Sequence, residues 1–69
     1  MADQRMIGKT GRMTGTLRPG RIGEVIVVVR GGAEHFHAYA ADGDSTIERG
    51  TSVVVVDYLP PRTVVVTPI

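Results

Sequence analysis

The chain of 69 residues has two imidazoles, His35 and His37, and they stand two apart. On an extended strand that spacing puts both rings on one face, where they could meet a common metal or form a platform for bases or a partner. Two nitrogen donors do not complete a metal site, and sequence alone does not force Glu24 or Glu34 beside them. No metal and no cofactor is expected. Gly8-Lys9-Thr10 resembles the tail of a phosphate-binding loop, but the glycine that should stand five residues before Gly8 is Asp3. The strand before and the helix after that such a loop needs are also missing, so the segment reads as a glycine-bounded turn. Ser45 and Ser52 fall in loop or turn context, with no base and orienting group at a matching spacing. No catalytic residue is assigned, and an enzyme is not expected.

The elements that hold these residues are strands. The stretch Glu24–Tyr39, EVIVVVRGGAEHFHAY, is an apolar run, a turn at Arg30, Gly31 and Gly32, and an alternating return. Two β-type runs joined by a short Gly-Gly connection are the pattern of a hairpin. It predicts one strand from Gly23 to Arg30 and the next from Ala33 to Ala40. With Phe36, Ala38 and Ala40 turned inward, His35, His37 and Tyr39 face out. A first strand is expected over Arg12–Leu17, with Gly15 as a bend or bulge, followed by a turn at Arg18-Pro19-Gly20-Arg21. ADGDST, residues 41–46, reads as a polar loop, and Ile47-Glu48-Arg49-Gly50 as a single turn. Thr51–Tyr58 is the fourth strand, with Val53, Val55 and Asp57 on one face and Val54, Val56 and Tyr58 on the other. Pro60 and Pro61 interrupt pairing because neither has an N–H. Thr63–Thr67 is the fifth. Residues 1–7 are polar, unpatterned and expected to be loose, which leaves 8–69 as a single domain.

Five short strands and no helix favour a small all-β barrel, since closure removes edges that runs such as VIVVV would otherwise expose. An OB-type five-stranded barrel is the first choice, with an SH3-like barrel as the alternative. There is no cysteine, so neither disulfides nor thiolate ligands contribute. The longest apolar runs, Val25–Val29 and Val53–Val56, fall far short of the roughly 20 residues of a membrane helix. The start, MADQRM, lacks the apolar core of a signal peptide.

Formal net charge is +1, which does not suggest a strongly basic nucleic-acid binder. The charge is unevenly spread. Arg5, Lys9, Arg12, Arg18, Arg21 and Arg30 against Asp3 and Glu24 make the first 30 residues +4. Arg49 and Arg62 against Glu34, Asp42, Asp44, Glu48 and Asp57 make the remainder −3. Apolar side chains are in surplus. If Val25, Val27, Val29, Val53, Val55, Val64 and Val66 fill the barrel, Ile26, Val28, Val54, Val56 and Val65 lie nearer the outside. Contiguous exposed apolar area marks an interaction surface. The candidate surface is Ile26, Val28, His35, His37 and Tyr39. A face for single-stranded nucleic acid, the alternative, comprises Arg21, Arg30, His35, His37 and Tyr39.

Taken in order, the motifs resemble the C-terminal soluble domain of NfeD-like proteins, the nodulation-efficiency family. They are the G-x-x-G of Gly8 and Gly11, the Leu17-Arg18-Pro19 turn, the Gly23 strand start and the Phe36-x-Ala38 step. Gly50-Thr51-x-Val53-x-Val55 and the closing Val64-x-Val66-x-Pro68 complete the series, which spans residues 7–69. The ADGDST loop and the Pro60-Pro61 connection depart from the commoner pattern. The resemblance implies an OB-fold barrel. It also implies a bacterial, membrane-associated setting, because such proteins usually carry membrane helices ahead of this domain and are often encoded beside stomatin- or flotillin-type scaffold proteins. The expectation is therefore a non-catalytic interaction module that acts with such a partner or with itself. Its place would be the cytoplasm, at a membrane through that partner or through a segment absent from this chain. The resemblance carries over no binding residue.

Overall fold

Valine dominates the strands because two substituents on Cβ restrict χ1 and pack well on a pleated surface. In the computed structural model, which describes residues 6–29 and 31–69, five strands form. They are β1 (Thr10–Gly15), β2 (Gly23–Val29), β3 (Gly32–Ala40), β4 (Ser52–Leu59) and β5 (Thr63–Pro68). They close a barrel in the order β1-β2-β3-β5-β4. Neighbours are antiparallel except β3 and β5, which run parallel. This is an OB-type barrel, and the SH3-like alternative falls away.

Alternation divides the valines as expected. Val25, Val27, Val53, Val55, Val64 and Val66 are buried, and Val29 packs half-buried against them. Phe36 and Ala38 join them from β3, so the register set by the one phenylalanine holds. On the outside, Ile26, Val54 and Val65 are half-buried, while Val28 and Val56 are exposed. Two glycines are required by the packing. A Cβ on Gly23 would stand 2.6 Å from the Leu17 Cβ, and one on Gly11 would stand 2.6 Å from the Ile26 carbonyl oxygen. The Arg18–Arg21 turn forms with paired backbone bonds, Arg21 N to Arg18 O at 2.8 Å and the reverse at 3.2 Å, with Gly20 at φ 81°.

The structure corrects four expectations. β1 starts two residues early and ends at Gly15, where a register shift between Met13 and Gly15 bends the strand. Leu17 therefore lies beyond β1 and bridges to Ile47. In β4 a second shift, between Val55 and Asp57, breaks the strict alternation. Asp57 turns out to solvent instead of following Val55, and Tyr58 packs half-buried on the core. One extra residue in a bulged strand reverses every face that follows it. Ile47, assigned only to a turn, is 2% exposed, and Met6, assigned to the loose segment 1–7, is 6% exposed, while residues 1–5 of that segment lie outside the described residues. The reason is common to both: a barrel has two open ends that need apolar stoppers. Met6 precedes β1 and the Leu17–Ile47 pair follows it, so the two close opposite ends.

Candidate interaction face

With Phe36 and Ala38 committed to the core, His35, His37 and Tyr39 must project from the outer face of β3. The β2–β3 register sets their neighbours: His35 opposite Ile26, His37 opposite Glu24, and Ala33 opposite Val28. One strand further, Arg12 of β1 stands opposite Ile26 and, on its other side, opposite Ser52 of β4. A row Ser52–Arg12–Ile26–His35 thus crosses four strands. Directly opposed side chains on one sheet face are in contact range. Four of the five expected surface residues, Ile26, Val28, His35 and His37, form one patch. Within it Val28 is 70% exposed, the most exposed large apolar side chain inside any strand.

Tyr39 lies further along β3, opposite Val65, and is 51% exposed. It shares an open depression with Arg18, Arg21 and Ile22 of the β1–β2 turn. A second depression joins those three residues to Glu24 and His37. Arg21 is therefore brought to His37 and Tyr39, as the nucleic-acid alternative requires. Arg30, the other arginine of that set, lies outside the described residues. Sequence reasoning missed Arg18, although it forms the opposite corner of the same turn.

Carboxylates interrupt any positive field here. Glu24 lies across from His37 and accepts a hydrogen bond from Thr14 Oγ1 at 3.3 Å. Glu34 takes the Arg62 Nη1 at 2.7 Å, with the guanidinium also 5.6 Å above the Phe36 ring centre. The Tyr58 ring meets Phe36 edge-on at 6.4 Å, and its hydroxyl donates to the Pro61 carbonyl at 3.0 Å. Among the described residues, no three His, Asp or Glu side chains gather closely enough to hold a metal ion.

The chain matches the NfeD C-terminal domain over residues 10–67. It belongs to that family. Among solved structures this NfeD domain is similar to the soluble domain of the NfeD protein YuaF from Bacillus subtilis, determined in solution, with a TM-score of 0.79 and 29% identity. The match covers 94% of this chain and 75% of that one. Among curated proteins no match is found. The family match spans residues 10–67, so the NfeD domain as matched takes in all five strands save Pro68 at the end of β5, and not the Met6 stopper. Among the described residues no helix is long and apolar enough to cross a membrane.

Proposed function

We propose that this NfeD domain is a non-catalytic protein-interaction module whose docking surface is the outer face of β2 and β3. The partner is a stomatin- or flotillin-type membrane scaffold protein, and a second copy of the chain is the other occupant the same face could take. The module then works in the cytoplasm at a membrane, reached through the partner or through an adjoining segment of a longer protein. The observation that carries this reading is Val28, 70% exposed beside Ile26 in a strand whose inner face is already full. A side chain at that exposure adds little to the core, and contiguous apolar surface of this kind is what partners cover.

Single-stranded nucleic acid is the competing occupant, because Arg18 and Arg21 flank His37 and Tyr39. Glu24 and Glu34 weigh against it: both carboxylates belong to the hairpin a phosphate backbone would have to cross. The deciding experiment is a pair of titrations at low salt, one with a purified stomatin- or flotillin-type protein and one with a single-stranded oligonucleotide. The reading expects binding in the first and none in the second. Oligonucleotide binding alone would overturn it.

A further inference from the structure

β3 is longer than its parallel neighbour allows for. It runs nine residues, Gly32–Ala40, but β5 pairs with it only from His37 to Ala40. The side of β3 that each backbone group faces follows from two bonds: His37 N donates to Arg62 O at 2.8 Å and Ala41 N to Val66 O at 2.8 Å, both toward β5. Backbone groups alternate sides along a strand, so those of Tyr39, His35 and Ala33 also face that way, while Gly32, Glu34 and Phe36 face β2. Tyr39 sits inside the β5 pairing. Ala33 and His35 extend past its start, and among the described residues their N–H and C=O groups on that edge have no strand to meet. Both residues are exposed. An open groove reaches this edge, lined by Ala33, Glu34, His35, Phe36, His37 and Arg62 and, from β2, by Glu24. The chain ahead of β5 does not fill it, because residues 60–62 turn back at once into β4, whose Leu59 pairs with Thr63.

We infer that this groove is a seat for strand addition: an extended segment of a partner protein lies against the β3 edge and pairs with the backbone of Ala33 and His35. The ligand chemistry follows from the edge itself. Two N–H and two C=O groups at strand spacing are matched by another peptide in β conformation, and the edge is too short for two whole barrels to pair stably through it. The side chains on either side set what the segment carries. On the outer face it meets Ala33 and His35, next to Val28 and Ile26, which favours an apolar residue there. On the inner side it meets the Glu34–Arg62 pair, which favours a polar residue at the adjacent, alternate position. The seat rests on the reading of the domain as a protein-binding module, and names how the partner is held.

The test uses the whole chain. Short linear peptides are selected against it from a random library, and each binder is mapped by amide chemical shifts on isotope-labelled protein. Binders are expected to shift and protect the Ala33 and His35 amides, and to lose affinity roughly tenfold or more when alternate peptide amides are N-methylated. His35→Pro removes one edge donor while leaving the β2 ladder intact, because that N–H faces away from β2. It is expected to abolish binding with the amide spectrum of the barrel preserved. Should His35→Pro unfold the chain, the alternating N-methylation pattern decides alone. Binders that map elsewhere, a uniform N-methylation pattern, or a library that gives no binder at this edge would overturn the inference. Partner binding lost on Val28→Lys but kept on His35→Pro would overturn the seat and leave the docking face standing.

Discussion

Arg62 Nη1 lies 2.7 Å from Glu34 Oε1 across 28 residues of chain, joining the β4–β5 connection to the tip half of the β2–β3 hairpin. The pair is local to the mouth of the groove beside β3, and the same guanidinium covers the Phe36 ring at 5.6 Å. Both side chains remain about half exposed, 58% and 50%, so solvent screens their attraction. A double-mutant cycle with Arg62→Ala and Glu34→Ala, read by urea denaturation, is expected to give a coupling no larger than about 1 kcal/mol that shrinks with added salt. Its role is to shape the groove more than to hold the barrel.

Gly23 is the tightest point between β2 and the segment after β1. An added Cβ would meet the Leu17 Cβ at 2.6 Å and the Met13 Cε at 2.9 Å, both atoms of buried side chains. Gly23→Ala is expected to cost about 1–3 kcal/mol, as overpacking does. Gly43→Ala, with nothing within 4 Å of the new Cβ, should stay within about 0.5 kcal/mol of the parent. Midpoints of urea denaturation compare the two directly.

The barrel ends are the third test. Ile47 is 2% exposed and its backbone exchanges bonds with Leu17, N to O at 2.8 Å and 2.9 Å. Ile47→Ala leaves a cavity under that bridge and should cost about 2–5 kcal/mol. Met6→Ala should also destabilise, with a loss at the lower end of that range because Met6 is somewhat more exposed than Ile47. A neutral Met6→Ala would contradict the stopper role of that side chain.

Much of the fold was legible in the chain because valine alternation reports burial directly. Val25, Val27, Val53, Val55, Val64 and Val66 all went inward as their spacing required, and Phe36 set the histidine face. The Arg18–Arg21 turn was readable from Pro19 and Gly20. What escaped depends on three-dimensional closure. Ile47 and Met6 sit in polar, unpatterned surroundings and are buried only because a closed barrel has ends to stopper. The bulge at Val56 leaves no mark in a run of four valines. That Ile26, Val28, His35 and His37 share one sheet face was readable from period alone, whereas the depth of β3 relative to β5 required the register of the parallel pair.

The docking face itself is tested most directly by the affinity of a purified stomatin- or flotillin-type protein for the chain and for Val28→Lys. Val28 is 70% exposed, so the substitution should leave stability within about 0.5 kcal/mol. If the outer face of β2 and β3 is the docking surface, Val28→Lys weakens binding roughly tenfold or more, because a lysine ammonium would be buried unpaired in the contact. Unchanged affinity in the lysine variant, or no binding by the parent chain, would contradict the account.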